Sequence, residues 1–440
     1  MALYSPRDML MSTRREFCSA AALTLLTPKL LRAQTSTSPT PTYGPATYAS
    51  THVDIAAVDH DRILSAAGRY LNEKPTPLTS IPAPNSPGSP QDFFSEVEDE
   101  RADSSDAGKG SSVSKPSIFT AHSDALLNMS MQVAALTSAF LLTKEVRYAE
   151  HAALHLRAWF IDPKTSMNPS LPYAQLLPGK AAPRPEGILE TVQLVEVAQA
   201  ASFFTRSEAL SDDELATLNK WFADYLLWLG TDKTPLLTRD LKNHHGISWL
   251  LQAAAYARLA PEPNAGARKA PTPGPSIYET PVVPNQYINL AALRQQFKRT
   301  TLRANLDANG AFMHELTTPW PYRNSLFALD MLSGICDLLS TRFETLWDFE
   351  LQDGPSMRVA IAHHFPFIAK RVSWPFAADL SHFNDVPVRQ PSLLFCGRAY
   401  GRPEYVDLWK TLNPDPTDPT VLRSFPIRQP LLWLRRAPAM

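Results

Sequence analysis

Lys242-Asn243-His244-His245-Gly246-Ile247-Ser248-Trp249 places an amide and two imidazoles where a polar loop turns into an apolar helix. From 242 to 259 the period is helical: His245, Trp249, Gln252 and Tyr256 share one face, while Leu250, Leu251 and Ala254 serve another. Asn243 reads as the N-cap. Open N–H groups at a helix start, flanked by imidazoles, suit the binding and neutralising of an anion. A positioned imidazole near its ordinary pKa also suits proton transfer.

The same period recurs along the chain. In 186–205, Leu194, Val197, Ala198 and Ala201 fall at i, i+3, i+4 and i+7, and further helices are expected at 118–143, 145–159, 211–229, 287–305, 324–340, 355–369 and 388–412. No alternating strand pattern and no Gly-rich nucleotide loop stands out. The expected fold class is therefore all-α, built of helical hairpins with long loops. Residues 76–117 and 261–286 are rich in Pro, Ser, Asp and Gly and read as loop insertions into a single domain spanning 51–440.

With 440 residues, of which 44% are hydrophobic, the chain has material for a sizeable core. Its formal net charge of −1 offers no basic field for nucleic acid, and no apolar run long enough for a membrane span follows the N-terminus. Residues 1–34 read as an export leader: Ser12-Thr13-Arg14-Arg15-Glu16-Phe17 precedes an apolar run from Ala20 to Leu26 and then Leu31-Arg32-Ala33-Gln34. Twin arginines in that place resemble a Tat-type signal, which makes the periplasm the expected location. Residues 35–50 form a Ser/Thr/Pro linker. Loss of the leader removes five Lys/Arg and two Asp/Glu, so an anionic ligand must be met by local cations. Cys18 lies in the leader, and Cys336 and Cys396 sit in apolar helical segments as two separately buried thiols. His151 and His155 have zinc-compatible spacing without an evident third ligand, so packing is the expectation and no metal is assigned.

Several blocks in order then carry a resemblance. They are Ser89-Pro90-Gln91-Asp92-Phe93-Phe94-Ser95-Glu96, Arg147-Tyr148 with His155 to Phe160, Met167-Asn168-Pro169 through Tyr173-Ala174-Gln175 to Pro178-Gly179, and Gly187-Ile188-Leu189-Glu190-Thr191. The Asn243 to Gly246 block follows, then Asp307-Ala308-Asn309-Gly310 with His314-Glu315-Leu316, Ser325-Leu326-Phe327, and Pro387 to Ser392. Together these resemble the alginate lyase-like polysaccharide lyases.

The resemblance implies an incomplete α/α toroid with a cleft across one end, and β-elimination on a 4-linked uronic acid polymer such as alginate or a glucuronan. It implies no obligatory metal or organic cofactor and an acidic polysaccharide as the partner; a monomer is expected. In that chemistry the uronate carboxylate must be neutralised before a base removes the C5 proton and an acid protonates the leaving oxygen.

Relatives use an Asn, a His, an Arg and a Tyr. Position by position, His245 matches the His, while the second Asn falls on His244 beside Asn243. An ungapped reading puts Thr317 and Asn324 where relatives carry Arg and Tyr, with Tyr322 and Arg323 immediately adjacent. The expected proton-transfer residue is therefore Tyr322 and the expected guanidinium Arg323, supported by His244 and His245. Tyr173, Gln175, Lys180, Arg184, Trp249 and Asn324 are the expected substrate contacts, and Trp320 and Trp374 are further candidate stacking platforms. Two other readings remain: an inverting glycoside hydrolase using two of Glu190, Asp240, Glu315 and Asp330, or a catalytically altered glycan-binding protein.

Overall fold

A computed structural model of the chain describes residues 53–98, 118–180, 182–260 and 288–434. The leader, the linker, 99–117 of the first insertion and the whole of 261–286 lie outside the described residues. The chain divides between Thr42 and Tyr43, and every described residue belongs to the second unit.

The longer helices, labelled in chain order, are α1 (His60–Tyr70), α2 (Ala121–Thr143), α3 (Val146–Leu156), α4 (Leu194–Ala201), α5 (Asp212–Thr231) and α6 (Lys233–Arg239). They continue with α7 (His244–Ala257), α8 (Leu290–Gln296), α9 (Pro321–Leu339), α10 (Met357–Ala369), α11 (Pro391–Tyr400) and α12 (Pro403–Thr411). An inner series runs α2, α4, α7, α9, α11, each helix packed on the next. The outer layer sets α1 and α3 against α2, α5 against α7, and α10 and α12 against α11. This is the incomplete α/α toroid that the resemblance implies.

Inner helices are covered on two sides, which is why they read as apolar nearly all round. α2 is long and apolar enough to cross a membrane by composition alone, yet 72% of its most apolar window is buried inside the protein. In α7, Ile247, Leu250, Leu251, Ala253 and Ala254 are fully buried. Each large side chain among them contributes about 1.5–3 kcal/mol. The ends of the described chain are fastened together by ions: Arg389 lies 2.6 Å and Arg62 3.0 Å from the buried carboxylate of Asp59, and Arg62 also reaches Asp415 at 3.1 Å.

The structure departs from expectation in three places. The segment 388–412 is two helices, α11 and α12, because Gly401 takes a left-handed conformation with φ 62° and stops α11. α1 and α6 were not anticipated; α1 buries only Ile63 and two alanines, too small an apolar stripe to announce a helix. A two-stranded parallel sheet also forms, β1 (Phe94–Glu96) beside β2 (Tyr173–Leu176), with an irregularity in register between Phe94 and Glu96. Strands of three and four residues are too short for alternation to show. Cys336 and Cys396 are buried free thiols, as read from sequence.

His155 and His364 are packed in the core. Burial first, then the neighbouring His151 and His363, lowers their pKa values to about 4 and about 3. Both are neutral in the fold while their unfolded counterparts titrate near 6.5. As pH falls from about 6.5 toward about 4 the unfolded chain alone takes up protons, so stability declines over that window and levels off below it. In urea unfolding between about pH 7 and about pH 4.5 these two histidines together remove several kcal/mol of stability, against the opposite contribution of Asp330, whose carboxyl burial pushes up to about 8. His155→Leu should lose less over the same interval, since neither imidazole nitrogen has a partner to forfeit; an equal loss in both proteins would contradict the assignment.

Candidate active site

A cleft of about 810 Å³ opens at the N-terminal ends of α7 and α9. Asn243, His244 and His245 line one side, and Trp320, Arg323, Asn324 and Phe327 another. Gln175, Lys180, Arg184, Glu186 and Glu190 form a third, with Arg423 completing the rim.

The start of α7 is built tightly. Asn243 Oδ1 accepts from the His245 N–H at 3.1 Å, the expected N-cap. A Cβ on Gly246 would stand 2.1 Å from the Leu241 carbonyl, so only glycine lets the helix begin this close to the preceding loop. His244 is then gripped twice by one buried carboxylate. Glu315 Oε1 accepts from the His244 N–H at 2.6 Å, and Oε2 from Nδ1 at 2.8 Å. With Nδ1–H committed, Nε2 carries the lone pair.

Glu315 is aimed by the turn before it. Asp307 Oδ1 accepts from the Asn309 and Ala311 N–H groups, and Gly310 has φ 87° with the Val359 carbonyl 2.5 Å from where a Cβ would sit. The block Asp307 to Glu315 thus touches His244 and does not itself line the cleft. His245 stacks near His244, ring centroids 4.2 Å apart. Burial, then His244 and Arg184, hold its pKa well below the usual imidazole value, so it is neutral.

The start of α9 supplies the cation. Asp379 accepts from the backbone N–H groups of Tyr322 at 2.8 Å and Arg323 at 3.0 Å, capping the helix. Arg323 lies over the Trp320 ring at 5.1 Å. Its Nη1 is buried without a hydrogen-bond partner among the described residues. Burial lowers its pKa against the pull of Asp379 and Asp418. A guanidinium stays cationic under such a shift. Asn324 Nδ2 donates to Thr318 Oγ1 at 3.1 Å.

Of the residues expected from sequence, Asn243, His244, His245, Arg323, Asn324, Gln175, Lys180 and Arg184 are brought together. Tyr322 is not. It is fully buried, its hydroxyl donates to the Phe367 carbonyl at 3.0 Å, and Trp374 and Phe383 pack on its ring. The reason is helical phase: 320, 323, 324 and 327 share the cleft face, and 322 lies on another. Burial raises its hydroxyl pKa. Tyr322→Phe is therefore expected to keep turnover within about twofold and to lose about 1 kcal/mol of stability; a loss of turnover without loss of stability would restore the residue to the chemistry.

Two more corrections follow from packing. Trp249 is buried, with Nε1 bonded to the Leu229 carbonyl at 3.2 Å, because only the first turn of α7 reaches the cleft. Tyr173 lies on β2 with its ring over Gly88 and does not line the cleft. Trp374 belongs to the Tyr322 cluster, which leaves Trp320 as the aromatic platform of the three tryptophans considered. Among the described residues lining the cleft none is a tyrosine. The four acids weighed for a hydrolase do not pair in the cleft either: Asp330 is fully buried, Glu315 is taken by His244 and Asp240 pairs with Arg239, so only Glu190 of the four faces it.

A sequence model of the family described as alginate lyase matches residues 78–374. Among solved structures, an alginate lyase from Bacteroides ovatus superposes with a TM-score of 0.67 at 21% identity, covering 86% of this chain and 94% of that one. Alginate lyase A1-III complexed with a tetrasaccharide is a looser likeness, with a TM-score of 0.48 and 13% identity over 88% of this chain and 95% of that one. No curated protein sequence matches.

Proposed function

The chain belongs to the alginate lyase family and is a polysaccharide lyase, and from that premise we propose that it cleaves a 4-linked uronic acid polymer by β-elimination, with His244 as the base and Arg323 as the main neutraliser of the uronate carboxylate. The reading is carried by one observation: His244 has its Nδ1 held by Glu315 and lines the same cleft as a guanidinium with an unbonded Nη1.

In this scheme the carboxylate at C5 sits against Arg323, with Asn243, Asn324 and neutral His245 as further hydrogen-bonding groups. Draining its charge makes the C5 proton acidic. His244 Nε2 removes that proton, the C5 electron pair forms the C4–C5 double bond, and the C4–O4 bond breaks. The oxygen leaves with a proton, for which the newly formed His244 imidazolium, stabilised by Glu315, is the source. His244 is thereby reset as a neutral base. Trp320 offers its face to a sugar ring, and Gln175 hydrogen-bonds hydroxyls. Arg14-Arg15 ahead of the apolar run from Ala20 to Leu26 supports a periplasmic site of action.

Purified protein incubated with a panel of uronate polymers tests this. Elimination gives a rising ultraviolet absorbance from the new conjugated double bond together with new chain ends. New ends without that absorbance on every polymer cut would defeat the β-elimination reading.

A further inference from the structure

The cleft is not uniformly basic. Three glutamates, Glu98, Glu186 and Glu190, line it beside Lys180, Arg184, Arg323 and Arg423. Three of those cations are already engaged: Arg184 Nε lies 3.4 Å from Glu186, Arg423 lies 2.5 Å from Asp124, and Lys180 has an interaction of its own. Arg323 forms no ion pair among the described residues, its nearest acids being Asp379, which caps its helix, and Asp418.

Glu190 is the mirror image of Arg323. It is half-buried, and its one hydrogen bond among the described residues comes from Ser95 Oγ to Oε1 at 3.1 Å. Ser95 is itself fixed, because its Oγ accepts from the Gln175 N–H at 2.8 Å, where β2 turns through a left-handed Gln175 at φ 53°. The carboxylate is thus held in place by the small sheet and forms no ion pair among the described residues. A sugar carboxylate set against it meets like charge once water is excluded. A sugar hydroxyl set against it donates a charge-assisted hydrogen bond.

We propose that Glu190 is a specificity residue: the sugar it faces is neutral and presents hydroxyls, so the preferred substrate alternates uronate with neutral sugar instead of carrying a carboxylate on every residue. This rests on the cleft being a uronate lyase site. One guanidinium unpaired by protein acids then matches one carboxylate at the reacting position, and Glu190 rejects a second at the neighbouring one.

The test compares kcat/KM of the full chain on a 4-linked polyuronate homopolymer and on an alternating glucuronate/N-acetylglucosamine polymer, read by the unsaturated-end absorbance. Wild type is expected to favour the alternating polymer by about tenfold or more. Glu190→Gln is expected to raise the homopolymer-to-alternating ratio by about tenfold, and to weaken the fall in homopolymer KM that added salt causes in wild type. General damage from the substitution lowers both rates and leaves the ratio alone, so an unchanged or falling ratio overturns the proposal. If wild type yields unsaturated ends from neither polymer, it is the elimination reading that fails. Calorimetric binding of the same two polymers then decides Glu190 separately: tighter homopolymer binding by Glu190→Gln upholds its role, and unaltered binding removes it.

Discussion

His244→Ala is expected to lower kcat by about 10²- to 10⁴-fold, the range a positioned acid/base group contributes. The effect should fall on kcat more than on KM, because the imidazole acts on the C5 proton while Arg323 and the other cleft groups still hold the polymer. The substitution leaves Glu315 with one of its two hydrogen bonds, from the residue 244 N–H, so thermal unfolding must accompany the kinetics. Glu315→Gln supplies the finer comparison. The amide no longer fixes the Nδ1–H tautomer and no longer stabilises the imidazolium, so kcat should fall and its dependence on pH should shift. A His244→Ala enzyme of normal stability with nearly full kcat would move the base elsewhere.

Arg323→Ala is expected to cost about 10²- to 10³-fold in kcat, the cost typical of removing one donor aimed at developing charge. In the proposed elimination the charge it answers grows on the uronate carboxylate as the C5 proton leaves, and a half-buried, positioned guanidinium answers it with little solvent reorganisation. Arg323→Lys should recover only part of the loss, since an ammonium keeps the charge but not the planar fork, nor the same stack on Trp320. Equal losses from Arg323→Ala and Arg323→Lys would point to geometry over charge, and full activity in either would remove the carboxylate from this position. Because Arg323 also packs at the start of α9, far-ultraviolet circular dichroism of each variant separates lost chemistry from a frayed helix.

Much of the fold was legible because inner helices must bury most of their surface, and that demand writes a helical period into the chain. The period located α2, α5, α7, α9 and α10 to within a few residues. It missed α6, where Pro235 stands inside a seven-residue helix, and it merged α11 with α12 across Gly401. Turn residues such as Gly401 change the chain's direction through one backbone angle, which hydrophobic spacing does not record.

The site was legible in its parts and not in its arrangement. Residues 243–245 stood out because an amide and imidazoles at a helix start are chemically specific. The choice between Tyr322 and Arg323 went to both from sequence, although the helical period already separates them: counting back from Phe327 gives 324, 323 and 320, and leaves 322 for the core. The role of Glu315 needed three dimensions. Its partner lies 71 residues away in the chain, and no spacing rule joins a turn after Gly310 to the first turn of α7. Glu190 was weighed from sequence as one half of a hydrolase pair, whereas burial of Asp330, the His244–Glu315 contact and the Arg239–Asp240 pair leave it the one of those four acids that faces the cleft.

The convergence of α7 and α9 on one carboxylate is most directly tested by a crystal structure of the His244→Ala variant soaked with a uronate oligosaccharide. A single uronate carboxylate should lie within hydrogen-bonding distance of Arg323, with the C5 hydrogen of that sugar directed at the space vacated by the imidazole. An ordered oligosaccharide whose carboxylates all point to solvent, or which binds away from Arg323, would contradict the account.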